Sequence, residues 1–211
     1  MKPFSHVTHL LFDHDGVLMD TEYWYFKATR DELAELGIDL TLEDYMAHMV
    51  TGRSVYAAHL GEAERDAFRE RRNRRYEMSL QTEDIQIPGV ENALAELATD
   101  YPMAIVTTSR RSHFELIHES RQIVRYFDFV LTLGDYARSK PAPDPYLAAV
   151  ERFGIEPEQA LIIEDSARGL GSALAAGIPC VIVDNEFTRG QDFTGAAARI
   201  ESLGELPGLL A

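Results

Sequence analysis

Short apolar runs that end abruptly on polar residues constrain the fold of this chain most. The first run ends at Phe12, and later runs cover 103–106, 129–133, 160–163 and 180–183. Stretches with helical periodicity separate them, such as the apolar face that begins at Val90 and recurs at i+3, i+4, i+7 and i+8. Strands that alternate with helices predict an α/β fold, a parallel sheet with helices on both faces.

The segment from 21 to 85 differs because it contains no convincing strand pattern. Gly37, Gly52 and Gly61 separate helical pieces within it. We therefore predict two domains: an α/β core formed by 1–20 and 86–211, and a small all-helical domain, 21–85, inserted after the first strand. Several arginines of the helical domain are interpreted as a solvated helix face that pairs with acidic residues nearby in sequence. They are Arg69, Arg71, Arg74 and Arg75.

Composition excludes several classes of partner. A formal net charge of −15 makes nucleic acid an unfavourable ligand. No apolar stretch approaches the roughly 20 residues of a membrane span, and no signal-peptide pattern precedes the first strand, so no membrane partner and a cytoplasmic location are expected. The single cysteine, Cys180, lies in an apolar run and is expected to be buried. The sequence leaves the oligomeric state open, and a monomer is compatible with it.

Polar side chains follow four of the predicted strands. Because the carboxyl ends of parallel strands meet at one edge of a sheet, these side chains are expected to converge. They are Asp13, Asp15, Thr107, Thr108, Ser109, Lys140, Glu164 and Asp165. Carboxylates suit a Mg²⁺ ion, and a lysine and hydroxyls suit the oxygens of a phosphoryl group. The sequence therefore predicts a site for Mg²⁺ and a phosphate group, and a phosphorylated metabolite is a possible ligand.

These residues occur in ordered motifs that resemble those of the haloacid dehalogenase-like hydrolases. The motifs are Asp13-His14-Asp15-Gly16-Val17, Thr107 after its apolar run, Lys140-Pro141 and Glu164-Asp165. Thr21-Glu22 and Pro88-Gly89-Val90 are similar to the phosphatase and beta-phosphoglucomutase-like branch of that family. The resemblance covers essentially the whole chain and implies a Rossmann-like core with a helical cap domain.

The resemblance also implies a role for each motif residue. Asp13 would be the nucleophile that forms an aspartyl-phosphate, and Asp15 the general acid and base. The metal would be held by Asp13, the backbone carbonyl of Asp15, and Asp165, with Glu164 beside it directly or through water. The residues expected to bind the substrate phosphate are Thr107, Thr108, Ser109 and Lys140.

The helical domain is where the resemblance places the substrate contacts that determine specificity. Arg53 stands in a segment where relatives carry an arginine that grips phosphate, and Arg72 stands where mutases have a lysine. A planar guanidinium suits a phosphate or a carboxylate. The predicted cap contacts are Thr21, Tyr25, Arg53 and Arg72.

Three functional hypotheses follow, and the first is preferred. The first is a Mg²⁺-dependent phosphatase, and the second is a phosphohexose mutase of the beta-phosphoglucomutase type. Tyr25 stands where that mutase has a histidine, which disfavours the second hypothesis. The third is a non-catalytic sensor of phosphorylated ligands, which the intact acids disfavour. The dehalogenase members of the family lack an acid at the position of Asp15, so its presence disfavours dehalogenase activity. His14, where relatives usually have an apolar residue, is expected to pack through a hydrogen bond.

Overall fold

The computed structural model describes residues 4–51 and 54–211. The described residues form a six-stranded, fully parallel sheet in the order β3-β2-β1-β4-β5-β6. The strands are β1 His9–Phe12, β2 Met103–Arg110, β3 Phe129–Leu133, β4 Ala160–Glu164, β5 Cys180–Val183 and β6 Ala198–Ile200. The parallel α/β fold predicted from the sequence is confirmed.

The chain divides into two compact units, one containing 1–20 and 86–211 and the other containing 21–85. The helices of the second unit are α1 Thr21–Ala34, α2 Leu42–Thr51 and α3 Glu62–Thr82. Those of the first unit are α4 Val90–Leu97, α5 Arg111–His118, α6 Asp144–Phe153, α7 Ala167–Ala176 and α8 Leu206–Leu210.

The central strands of the first unit, β1 and β4, are largely apolar and buried on both faces. Leu10, Leu11 and Phe12 of β1 are completely buried, as a central parallel strand requires. Leu11 belongs to a core cluster with residues of β2, β4, α6 and α7. Each buried aliphatic side chain contributes about 1.5–3 kcal/mol, so this core holds the sheet edge at which the polar residues emerge.

The strand order determines where along that edge a ligand is expected to bind. The chain proceeds from β1 to β2 and β3 on one side, and then to β4, β5 and β6 on the other. In open parallel sheets of this order, ligands bind outside the carboxyl ends of the strands where the direction reverses. Here that point lies between β1 and β4. β1 ends one residue before Asp13, and β4 ends at Glu164.

The helical unit has its own apolar core, with Phe26 and Leu33 of α1 and Phe68 and Leu80 of α3 buried. Glu32 of α1 is also buried, at 2% exposure. Its partners are Arg71 and Arg75 of α3, which form ion pairs with it. The interpretation of these two arginines as a solvated face paired within α3 is therefore wrong, because a buried carboxylate needs a cation and α1 supplies the carboxylate. Arg69 does pair within its helix, with Asp66 at 2.5 Å.

Candidate active site

Asp13 and Asp15 follow the central strand directly. The Asp13 amide donates to the carbonyl of Ile163 at 2.8 Å, which extends the β1–β4 ladder by one residue. Beyond it the chain turns tightly, with the Leu18 amide donating to the His14 carbonyl at 2.9 Å. Gly16 adopts a φ of +77° in this turn, and a Cβ there would lie 2.1 Å from Asp165 Oδ2. Glycine is therefore required for the close approach of the turn to Asp165.

Lys140 joins the acids of β1 and β4. Its Nζ donates to Asp13 Oδ1 at 2.9 Å, to Glu164 Oε1 at 2.8 Å and to the Val106 carbonyl at 2.9 Å. The lysine is only 4% exposed and Glu164 is fully buried. All three protons of the ammonium group are therefore used. The Tyr146 hydroxyl donates to the same Glu164 oxygen at 2.8 Å, and its ring lies 4.7 Å from Nζ.

The charges of this cluster are not balanced. Burial, and then the charge of Glu164, raise the pKa of Asp13 to about 7, against the opposite effect of Lys140. For Glu164, burial acts to raise the pKa, but the charge and hydrogen bond of Lys140 outweigh it and the pKa is lowered. One lysine thus compensates the Glu164 carboxylate more fully than that of Asp13. A further positive charge near Asp13 would favour its ionised form.

The donor atoms at this point fit a divalent cation. One oxygen each of Asp13, Glu164 and Asp165 lie within 4.8 Å of one another. Carboxylate oxygens are the ligands of hard cations such as Mg²⁺ and Ca²⁺. Burial first, and then the neighbouring Glu164 carboxylate, raise the pKa of Asp13, and a bound cation would oppose both effects. The acidic cluster therefore fits a divalent metal ion.

Hydroxyl groups at the end of β2 hold Asp15. Ser109 Oγ donates to Asp15 Oδ2 at 2.7 Å, and Thr107 Oγ1 donates to the same oxygen at 3.2 Å. The Ser109 amide donates to Thr107 Oγ1 at 3.0 Å and completes the turn. Thr108 lies between these two residues in the sequence, and its hydroxyl accepts a hydrogen bond from the Arg168 guanidinium at 2.9 Å. The structure thus brings all eight predicted residues of the α/β unit to the carboxyl ends of β1, β2 and β4.

The predicted contacts of the helical domain lie in the second unit. Thr21 begins α1, and its hydroxyl donates to Glu22 Oε2 at 3.0 Å. Tyr25 lies under the Arg72 guanidinium, whose central carbon is 4.2 Å from the ring centroid. Arg72 is 5% exposed and Tyr25 is partly buried, and the contact with the ring fixes the position of the guanidinium. Arg53 lies outside the described residues.

Three residues at the α/β site were not identified as site residues from the sequence. Tyr146 lies on α6, and its hydroxyl reaches Glu164. His118 contacts His14 at 2.9 Å, and Asn185 donates to the Gly16 carbonyl at 3.3 Å. Asn185 could have been found by extending the strand-end argument to β5, which ends two residues before it. No local signal identifies His118.

Comparison with known proteins agrees with this geometry. The sequence profile of the haloacid dehalogenase-like hydrolase family matches residues 10–183. The chain belongs to this family. The resemblance inferred from the motifs is confirmed, and the protein is a hydrolase with the α/β fold of that family.

Similar proteins cover nearly the whole chain. Protein CbbY of Rhodobacter capsulatus is 33% identical over 210 residues, which are 92% of this chain and 92% of that protein. A phosphoglycolate phosphatase of Nitrosospira multiformis is 30% identical over 87% of this chain and 86% of its own length. A crystal structure of a CbbY variant from Rhodobacter sphaeroides in complex with xylulose 1,5-bisphosphate superposes with a TM-score of 0.74 at 25% identity. It covers 95% of this chain and 96% of that one.

Within the described residues, no helix has both the length and the apolar character needed to cross a bilayer.

Proposed function

We propose that this hydrolase is a Mg²⁺-dependent phosphatase that cleaves a small phosphorylated metabolite through an aspartyl-phosphate on Asp13. The observation that carries the proposal is the buried contact of Lys140 with Asp13 and Glu164, next to Asp165. A carboxylate with a fixed cation beside it supports nucleophilic attack on phosphorus, because the cation compensates the charge that develops. Asp15, two residues further along the chain, supplies the second carboxylic acid.

Asp13 attacks phosphorus, and Lys140 compensates the negative charge as the bond forms. The ammonium group lies 2.9 Å from Asp13 Oδ1, so it does not need to move when charge shifts from the carboxylate to the phosphoryl oxygens. The Thr108 hydroxyl at the end of β2 donates to those oxygens, because it only accepts from Arg168, whereas the hydroxyl protons of Thr107 and Ser109 are directed to Asp15. Donors that are oriented in advance stabilise the transition state without reorganisation.

Asp15 transfers the protons of the reaction. It donates one to the leaving oxygen and then takes one from the water that hydrolyses the aspartyl-phosphate. Its Oδ2 is held by Ser109 and Thr107, which fixes the carboxyl group at the end of the turn. The same residue serves as acid and then as base, so its orientation matters in both steps.

Mg²⁺ would be held by Asp13 and Asp165 with the carbonyl of Asp15, and Glu164 would lie beside it. When bound, it supplies positive charge to the nucleophile and the phosphoryl oxygens. This assignment is supported by the approach of the three carboxylates and by the raised pKa of Asp13.

The substrate class is a sugar phosphate or a similarly small phosphorylated acid. The similarity to CbbY, crystallised with xylulose 1,5-bisphosphate, and to a phosphoglycolate phosphatase supports this choice. The helical unit would act as a cap, with Thr21, Tyr25, Arg53 and Arg72 as substrate contacts. Arg72 offers a guanidinium already oriented by Tyr25.

A panel of sugar mono- and bisphosphates and phosphorylated acids, assayed for phosphate release with and without Mg²⁺, tests the proposal. We expect release from a subset with Mg²⁺ only, and loss of at least about a thousandfold in Asp13→Asn. Asp192→Asn, on an exposed loop, is the matched control and should retain full activity. Absence of release by folded wild-type protein would refute the proposal. Isomer exchange after priming with a bisphosphate, without net hydrolysis, would indicate a mutase instead.

A further inference from the structure

A pair of histidines lies directly behind Asp15. His14 is completely buried, and its Nε2 is 2.9 Å from Nε2 of His118, the last residue of α5. Its other ring nitrogen, Nδ1, is 3.4 Å from Asp15 Oδ1. Phe114 packs against both imidazoles, with ring centroids 5.1 Å and 4.4 Å away. A continuous series of contacts therefore joins α5 to the side chain of Asp15.

The protons of this series can be assigned by elimination. A neutral imidazole carries one proton, on either Nδ1 or Nε2. His118 Nδ1 is buried without a hydrogen-bond partner in the described part of the chain, which an acceptor tolerates better than a donor. The proton of His118 therefore lies on Nε2 and is donated to His14 Nε2. This contact leaves the proton of His14 on Nδ1, the nitrogen that faces Asp15 Oδ1.

The charge state of His118 agrees with this assignment. Burial lowers the pKa of His118 to about 3. The ring is therefore neutral at physiological pH and has a single proton to donate. Because the partner of one ring nitrogen determines which tautomer the other nitrogen presents, His118 determines what His14 shows to Asp15.

We propose that His118 is a positioning residue that orients the Asp15 carboxyl group through His14. The inference rests on the proposed function, in which Asp15 protonates the leaving oxygen. Oδ1 of Asp15 faces His14, and Oδ2 accepts from Ser109 and Thr107. These contacts fix the plane of the carboxyl group from both sides. Without the His118 donor, the proton of His14 can move to Nε2, and a lone pair then faces Asp15.

Substrates with different leaving groups separate positioning from simple packing. An alkyl phosphate releases a poor leaving group that must be protonated, whereas an aryl phosphate such as p-nitrophenyl phosphate releases a stable anion. A misoriented acid therefore slows alkyl ester cleavage more than aryl ester cleavage. Loss of packing alone would lower both rates by the same factor.

The experiment compares kcat/KM for an alkyl phosphate from the substrate panel and for p-nitrophenyl phosphate. His118→Phe fills the space but removes the donor, and we expect a loss of about tenfold for the alkyl ester and about twofold for the aryl ester. His118→Gln places an amide near the position of Nε2 and should restore most of the alkyl activity. His118→Asn is too short to do so and should behave like His118→Phe. His59→Phe, at an exposed position, is the control.

Each outcome supports or overturns the inference. Equal losses on both esters, or no loss, in His118→Phe would overturn it. If that variant does not fold, equal alkyl rates in His118→Gln and His118→Asn would overturn it as well. A wild-type protein inactive on every ester would overturn the proposed function and this inference together. An active wild type whose variants show no selective loss would overturn this inference alone.

Discussion

Lys140 is the residue on which the charge balance of the site depends. It is the one cation in hydrogen-bond contact with both Asp13 and Glu164 among the described residues, and it is almost fully buried. Lys140→Met keeps the length of the side chain but leaves two carboxylates facing each other. We expect a loss of about 3–5 kcal/mol in the free energy of unfolding, measured by urea titration without divalent cations.

Lys27→Met is the matched control for that experiment. Lys27 forms a pair with Asp31 at 2.8 Å, but both side chains are partly exposed. Removal of a solvent-screened pair of this kind should cost less than about 1 kcal/mol. Similar losses in the two variants would show that burial does not distinguish the two lysines.

Because of His118, the free energy of unfolding is expected to fall as the pH is lowered. Its folded-state pKa of about 3 lies below the ordinary value of 6.5, so between these limits the unfolded chain binds a proton that the folded chain does not. The contribution of the neutral ring is present above pH 6.5 and is lost as the pH falls toward 3. The stability advantage of wild type over His118→Phe should therefore shrink by about 1 kcal/mol between pH 7 and pH 5, after allowance for partial exposure.

Urea unfolding at a series of pH values measures this difference directly. His59→Phe makes the same substitution at an exposed position and is the control. A difference between wild type and His118→Phe that does not change with pH would contradict the burial of a neutral imidazole at this position.

At the residue scale, sequence predicted what local periodicity and topology determine. Asp13, Lys140 and Glu164 each lie at or near a strand end, and parallel strands bring such ends together. His118 could not be predicted, because its contact with His14 joins residues 104 positions apart. That contact depends on where α5 packs against the sheet, and a local sequence pattern does not predict the packing position of a helix.

The packing of α7 against the end of β4 leaves no space at one glycine. A Cβ on Gly169 would lie 1.8 Å from the carboxyl group of Glu164. Gly169→Ala must therefore displace a carboxylate that accepts from Lys140 and Tyr146. We expect a loss of about 1–3 kcal/mol in stability, as for other overpacked sites, together with loss of phosphate release.

Gly208→Ala provides the contrast within another helix. Gly208 lies in α8, and a Cβ there would meet no atom within 4 Å. Alanine should stabilise this helix by about 0.5–1 kcal/mol, because it loses less backbone entropy than glycine. Thermal unfolding of both variants tests the prediction, and a stabilised Gly169→Ala protein would contradict the close approach of α7 to Glu164.

At the scale of elements, the apolar runs predicted the cores of the strands but not their ends. β2 was predicted for 103–106 and continues to Arg110, with an irregular register against β3 after Val106. Its last residues are polar because they line the site, so hydrophobicity does not mark them. In the same way, Arg71 and Arg75 pair with Glu32 of another helix, which spacing within one helix cannot predict.

For the whole molecule, alternation of strands and helices predicted a parallel sheet, but strand order came only from the structure. Local patterns indicate that a strand forms without indicating its neighbours. The observed order puts β1 in the interior of the sheet, between β2 and β4. Asp13 and Asp165, which are far apart in the sequence, therefore lie at the same edge of the sheet. A ligand bound at this edge contacts distant parts of the first unit.

Metal binding should consequently raise the free energy of unfolding, because the ligands come from distant parts of the chain. A cation held by Asp13 and Asp165, with Glu164 beside it, contacts the ends of β1 and β4 and binds only where both are folded. At a Mg²⁺ concentration of 100 times the dissociation constant, the free energy of unfolding should rise by about 2.7 kcal/mol. Circular dichroism during urea titration, with Mg²⁺ or with EDTA, measures the change. Asp165→Asn should abolish it and Asp192→Asn should retain it, whereas an equal effect of Mg²⁺ on both variants would place the ion elsewhere.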